Sequence, residues 1–269
     1  MSERDPQFIT VGAGNAAREI AVRHDAAADP AKTPGVLWLS GFKSDMVGSK
    51  AVAIAEWVRA SGHAMTRFDY SGHGESGGAF EEGTISRWLE ETIAVFETVC
   101  DGPTVAVGSS MGGWLALLLA RALKSRGNGN LAGLILIAPA ADFTEELMWK
   151  GFPEEVRNEL MRTGRYERPS EYDEPYVITR GLIEDGRNNL LMGGSIEPGC
   201  PVHILQGMQD ADVPWTHAME LVARLPSDDV SVTLVKDGDH RLSRPQDIDL
   251  RLIPALVEFG IGVMRPDGA

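Results

Sequence analysis

From residue 35 onward, short apolar runs alternate with stretches of helical spacing, and that alternation narrows the possible folds more than any other feature of the chain. Residues 35–41, Gly-Val-Leu-Trp-Leu-Ser-Gly, are a run of strand length with no polar alternation, as a strand buried on both faces requires. Val47, Ala51, Ile54 and Val58 then share one helix face, 63–70 reads as a strand, and 71–78 is a glycine-rich loop. A second helix is traced by Ile85, Trp88, Leu89, Thr92, Phe96 and Val99, followed by a β-branched strand at 104–107. Residues 111–123 are nearly all apolar, the mark of a helix buried on most sides, and 131–137 is the next strand. After an interruption the pattern resumes with strand 202–206, helix 215–225, strand 230–235 and a terminal helix from Pro245. Two strands at 8–11 and 18–24 flank the turn Gly12-Ala13-Gly14-Asn15 and predict a hairpin at one edge. Gly12 and Gly14 lack the third glycine and the following βαβ unit of a dinucleotide loop. Strands separated by helices throughout predict a mostly parallel, eight-stranded α/β sheet covered on both faces.

The interruption, 142–197, mixes acidic, basic and aromatic residues and predicts one or more amphipathic helices without a strong strand. It reads as a small cap on a single 269-residue domain. Phe143, Leu147, Trp149 and Phe152 of this cap either line an apolar acyl site or pack the cap down; the spacing allows both. The 25 Lys and Arg against 39 Asp and Glu give a net charge of −14, which repels phosphate backbones and anionic lipid, so neither nucleic acid nor membrane is an expected partner. Cys100 and Cys200 are too few for a disulfide framework or a four-ligand zinc site and read as reduced thiols. The polar opening Met1-Ser2-Glu3-Arg4-Asp5-Pro6 is unlike a signal peptide, and the longest mostly apolar stretch, 131–141, is about half of the roughly 20 residues of a membrane span. The expectation is a cytoplasmic protein.

The chemistry is carried by Gly108-Ser109-Ser110-Met111-Gly112, a G-x-S-x-G pattern set between a strand and an apolar helix. A sharp strand-to-helix turn strains the nucleophile's backbone, and flanking glycines leave room for it. Gly74-Glu75-Ser76-Gly77-Gly78 also fits, but no helix follows it directly, so Ser110 is the nucleophile and Ser76 a loop hydroxyl. Ser109 is expected to turn into the structure. Serine needs an adjacent base. His240, in the loop after the last strand, stands where chain order Ser…Asp…His puts it, with His73 of the glycine loop as the rival. His24, His63, His203 and His217 fall in strands or a helix and read as structural. For the orienting carboxylate, Asp210 lies at the turn beyond strand 202–206; Asp212 reads as a cap for the helix near Pro214, and Asp142 is a further candidate. The amides of Met111 and of Phe42, in the loop after 35–41, would form the oxyanion hole.

These residues and the strand order around them resemble the α/β-hydrolase fold over essentially the whole chain. A narrower likeness is to the animal mitochondrial acyl-protein thioesterase and acyl-glucuronide esterase family and its bacterial relatives. It rests on 67–72 (Arg-Phe-Asp-Tyr-Ser-Gly), 108–114 (Gly-Ser-Ser-Met-Gly-Gly-Trp), 207–210 (Gly-Met-Gln-Asp) with Val213-Pro214-Trp215, and Asp239-His240-Arg241. The resemblance implies the triad Ser110, Asp210 and His240, and a small-molecule ester or thioester substrate or an acylated protein, with no cofactor or metal. The chain departs from that family in Gly41-Phe42 where Gly-Tyr is expected, and its polar opening leads us to expect no mitochondrial leader. Lipase or peptidase chemistry on the same triad is the rival enzyme reading. Serine at the elbow excludes an aspartate-dependent dehalogenase, and a complete triad argues against a non-catalytic binding protein of the same fold.

Overall fold

A computed structural model describes residues 5–29, 33–168, 176–226 and 229–262. Strands β1 (Gln7–Val11) and β2 (Arg18–Asp25) form the expected edge hairpin, followed by β3 (Gly35–Leu39), β4 (Met65–Phe68), β5 (Thr104–Ser109) and β6 (Leu131–Ile137). They join β9 (Val202–Gly207) and β10 (Val230–Val235) in one eight-stranded sheet of order β1-β2-β4-β3-β5-β6-β9-β10. β1 with β2 and β2 with β4 are antiparallel; every pair from β4 to β10 is parallel.

The continuous apolar runs follow from burial on both faces. Along β3, Leu37 and Leu39 enter the core shared with helices α2 (Ile85–Val99) and α3 (Met111–Ser125), whereas Val36 and Trp38 enter the opposite core, under α1 (Ser49–Ala60). β5 and β6 divide in the same way, Ala106, Leu134 and Leu136 against Val105, Val107, Ile135 and Ile137. Helix α6 (Trp215–Arg224) covers the first face. A terminal segment covers the second, running from α7 (Pro245–Asp247) through a π-helical turn into α8 (Ile253–Glu258). Every parallel strand therefore delivers its C-terminal loop to one rim, where ligands bind in such sheets.

The cap holds a π-helical turn at Thr144–Trp149, α4 (Glu154–Thr163) and α5 (Arg180–Gly186), as its amphipathic pattern predicts. It also contains an antiparallel pair that the sequence reading did not expect, β7 (Arg165–Arg168) with β8 (Tyr176–Thr179), in register Arg165↔Thr179. Gly164, left-handed at φ +85°, ends α4 and starts β7. Four residues per strand are too few to announce a period of two. Among the described residues, no helix is long and apolar enough to cross a membrane.

Candidate active site

Ser110 sits between β5 and α3 with φ +55° and ψ −117°, a conformation few non-glycine residues adopt. The surrounding backbone shows why this turn needs its glycines. A Cβ on Gly108 would lie 2.3 Å from the Gly112 carbonyl oxygen, and one on Gly112 would lie 2.1 Å from that of Leu39. The strain is held by backbone bonds on both sides: Ser110 N donates to Ile137 O at 2.8 Å, and Gly113 N and Ala140 N donate to Ser110 O. Because α3 begins at Met111, the Ser110 side chain stands at the positive end of a fifteen-residue buried helix.

His240 reaches the serine from the loop after β10. Its Nε2 is 3.1 Å from Ser110 Oγ, and its Nδ1 is 2.8 Å from Asp210 Oδ2. Asp210 is buried, and its other oxygen accepts the amides of Asp212 and Val213 at 2.9 and 2.8 Å. Gln206 Nε2 donates to Oδ2 as well, at 3.1 Å. Both oxygens of this carboxylate are thus taken by hydrogen-bond donors. The loops of acid and base meet because Gly207 has no side chain; a Cβ there would lie 2.4 Å from Gly238 O and 2.5 Å from Asp239 O.

The remaining candidates have other work. Asp142 is buried, and its carboxylate accepts the amides of Leu191 and Met192 at 2.7–3.0 Å, tying the start of the cap to its return; burial raises its pKa. Asp212 does not cap α6 as its position suggests, since Pro214 occupies the N-cap without a side-chain bond and the Asp212 amide turns back to Asp210. Ser76 Oγ donates to Asp69 O and accepts from Ala21 N, the loop role expected of it. His24 meets Thr66, His63 meets Pro34 O and Gly262 N, His203 lies between Glu258 and Thr233, and His217 meets Ala141 O.

Two supporting groups escape a motif search. Lys50 is a buried lysine on the inner face of α1; its Nζ donates to Ser109 Oγ at 3.1 Å and Arg241 O at 2.5 Å, and burial lowers its pKa to about 8. It joins the residue before Ser110 to the residue after His240, and Ser109 turns inward to meet it. Asp69, also buried, accepts Met46 N at 2.7 Å and Glu75 N at 2.9 Å, and burial raises its pKa. Arg67 donates to Met46 O at 2.8 Å. Together these two residues anchor the far end of the loop that carries Phe42. The sequence signals for them are a lysine on an otherwise apolar helix face and an aspartate just past a strand, the latter within the 67–72 stretch that carries the family likeness.

Gly41 lies against the nucleophile: a Cβ on it would be 3.4 Å from both Ser110 Cβ and Ser109 O. Among the described residues no acceptor takes the Phe42 amide, while Lys43 N donates to His73 Nε2 and Ser44 N to Gly41 O. The Phe42 ring is surrounded by Phe80, Trp88, Phe143 and Tyr176, with centroids 5.0–6.3 Å away. Of the four cap residues named from the sequence, Phe143 therefore borders the loop that carries Phe42, packing on Trp114 as well. Trp149 lies beneath the guanidinium groups of Arg157 and Arg187, Phe152 meets Tyr166 of the cap hairpin, and Leu147 packs on the main core. Asp210, Asp212 and His240 are the one group of three metal-ligand side chains among the described residues, with ligand atoms within 4.8 Å of one another. The oxygens of Asp210 are already taken by the bonds given above, so the set suits a triad better than a cation.

Comparison with known proteins gives the family. Residues 34–182 match the family model described as serine aminopeptidase, S33. The mitochondrial palmitoyl-protein thioesterase ABHD10 of Mus musculus is 38% identical over 221 residues, 81% of this chain and 73% of that protein. The solved structure of mouse alpha/beta hydrolase domain-containing protein 10 superposes with a TM-score of 0.80 at 33% identity, covering 94% of this chain and 98% of its own. A solved chain from Agrobacterium vitis S4 superposes with a TM-score of 0.91 at 51% identity, covering 95% and 98%. The chain thus belongs to the α/β-hydrolase family described as serine aminopeptidase, S33, and is an enzyme of the serine-hydrolase type.

Proposed function

We propose that the protein hydrolyses carboxylic esters or thioesters of hydrophobic acids through an acyl-enzyme on Ser110. The observation that carries this reading is the relay Ser110 Oγ–His240 Nε2 at 3.1 Å and His240 Nδ1–Asp210 Oδ2 at 2.8 Å. His240 takes the Ser110 proton as Oγ adds to the acyl carbonyl, and Asp210 holds the ring in the tautomer that leaves Nε2 free to accept. The amides of Phe42 and Met111 bind the tetrahedral oxyanion, each worth about 3 kcal/mol in comparable sites. Collapse breaks the bond to the alcohol or thiol, which leaves with the proton from His240. Water then adds to the acyl-enzyme with the same histidine as base, the acid departs and the serine is restored. The chemistry uses only this chain's side chains and amides.

The aromatic wall of Phe42, Phe80, Phe143 and Tyr176 beside the oxyanion loop favours an apolar acyl group. The thioesterase name of the mouse relative favours acyl thioesters, on small molecules or on protein, over the aminopeptidase activity in the family description. A fluorophosphonate probe read by intact mass tests the mechanism: one adduct is expected on the wild type and none on Ser110→Ala. No adduct on the wild type, or one that survives Ser110→Ala, overturns it. Rates on acyl thioesters and p-nitrophenyl esters of increasing chain length test the substrate class. Long-chain thioesters turned over no better than acetate esters would reject the thioesterase assignment.

A further inference from the structure

Phe42 supplies an oxyanion-hole amide from a loop whose conformation needs external support. Lys43, the next residue, has φ +56°, in the left-handed region that a lysine rarely occupies. Most of the bonds that hold this loop act at its ends. Trp38 Nε1 donates to Ser40 Oγ, Ser40 Oγ to Asp45 O, and Met46 is held by Asp69 and Arg67. At the strained centre, the Lys43 amide donates to His73 Nε2 at 3.1 Å. His73 is buried, its Nδ1 lies 3.3 Å from Ser71 O, and its ring meets Tyr70, Phe80 and Trp88 edge-on at 5.1–5.7 Å. Phe80 and Trp88 also flank the Phe42 ring. One cluster therefore grips the side chain of Phe42 and the peptide group that follows it.

We propose that His73, held as the Nδ1–H tautomer, is the positioning residue of the oxyanion loop: its Nε2 accepts the Lys43 amide and so aims the Phe42 amide at the adduct on Ser110. Carbonyl and carboxylate oxygens also accept, but a carboxylate among three aromatic rings would bury an unpaired charge. A neutral imidazole presents one lone pair and hides the rest of its edge against those rings. Burial lowers its pKa to about 4, so the lone pair is available at neutral pH. Protonation would set N–H against N–H. Asp45, which favours the charged ring, and Lys43, which opposes it, are the charged groups that act on it most. This inference rests on Ser110 being the nucleophile.

The test compares the full-length wild type with His73→Phe, which keeps a ring in the cluster and removes the acceptor, and with His73→Gln, which restores an acceptor. For each, kcat and KM are measured on p-nitrophenyl butyrate. Inhibition is measured with an alkyl trifluoromethyl ketone, which forms an oxyanion on the serine, and with its unreactive methyl ketone counterpart. His73→Phe is expected to lose at least 10-fold in kcat and in trifluoromethyl ketone affinity, with KM and methyl ketone affinity within 2-fold, and His73→Gln to recover part of the loss. Unchanged kcat and trifluoromethyl ketone affinity in His73→Phe, or equal losses for both ketones, overturns the proposal. Should His73→Phe fail to fold, 15N spectra of the wild-type ring decide: a bare Nε2 and protonated Nδ1 are expected, and the opposite tautomer or a doubly protonated ring at neutral pH overturns it. A wild type that forms no adduct with the trifluoromethyl ketone would refute the Ser110 reading itself, a result distinct from a normal wild type and an equally normal His73→Phe.

Discussion

The two sides of the reaction centre are built by opposite means. On the triad side, backbones meet so closely that no side chain fits: a Cβ on Gly108, Gly112 or Gly207 would lie 2.1–2.4 Å from a carbonyl oxygen. On the acyl side, Phe42, Phe80, Trp88, Phe143 and Tyr176 touch through rings 5–6 Å apart, with His73 among them. Backbone contacts admit one geometry, whereas ring contacts of this kind can be exchanged for others of similar volume at modest cost. Under the proposed function, the difference separates what fixes the chemistry from what selects the substrate.

The largest effect is expected from Asp210→Asn, which should lower kcat about 10⁴-fold while leaving the ranking of acyl chain lengths unchanged, because the wrong imidazole tautomer would be held. A change in that ranking would mean that the two sides are not separable. Gly112→Ala comes next. Its Cβ would strike the Leu39 and Ser40 carbonyls, so it should destabilise the fold by about 3 kcal/mol in urea unfolding, and a loss under 1 kcal/mol would show that the elbow can relax.

His73 gives a pH test of the aromatic side. Its pKa is about 4 in the fold against 6.5 when exposed, so the unfolded chain binds the proton first as pH falls. Stability contributed above pH 6.5 is lost on acidification through pH 4, a difference of about 3 kcal/mol, and this part of the acid slope should vanish in His73→Phe. Identical slopes in the two proteins would place the ring in a wetter setting. The smallest effect belongs to Phe143→Leu, which should shift relative kcat/KM between short and long acyl chains by about 10-fold, at a stability cost near 1 kcal/mol. An unmoved chain-length profile would reduce Phe143 to packing.

The same contrast marks what could be read in advance. Strand β3 announced itself because burial on both faces forbids polar alternation, and the meeting of Ser110, His240 and Asp210 could be expected because chain order and loop position limit where a base and a carboxylate can stand. The cap hairpin gave no signal, since two four-residue strands have no measurable period and pair only with each other. Asp212 misled because an acidic residue two positions before Pro214 looks like a cap, yet the loop closes around Asp210 instead. The bonds made by Lys50, Asp69 and Asp142 gave no signal for a different reason, although Asp69 stands in the 67–72 stretch and Asp142 is a candidate for the orienting carboxylate. Each is a charged residue buried by a partner far away in the chain, and no local pattern records such a partner.

The Asp142 latch has a consequence for how such enzymes diversify. One carboxylate gathers the first residue of the cap and the amides of Leu191 and Met192, so the excursion leaves and rejoins the scaffold at a single point. The rest of its length is tied down as well, because Phe143 and Tyr176 pack on Phe42, Leu147 packs on the core, and Asp185 and Asn189 bond to Ser86. A foreign lid grafted at 143–190 therefore has to bring its own rings to Phe42 and its own partners to Ser86 as well as fit the Asp142 joint.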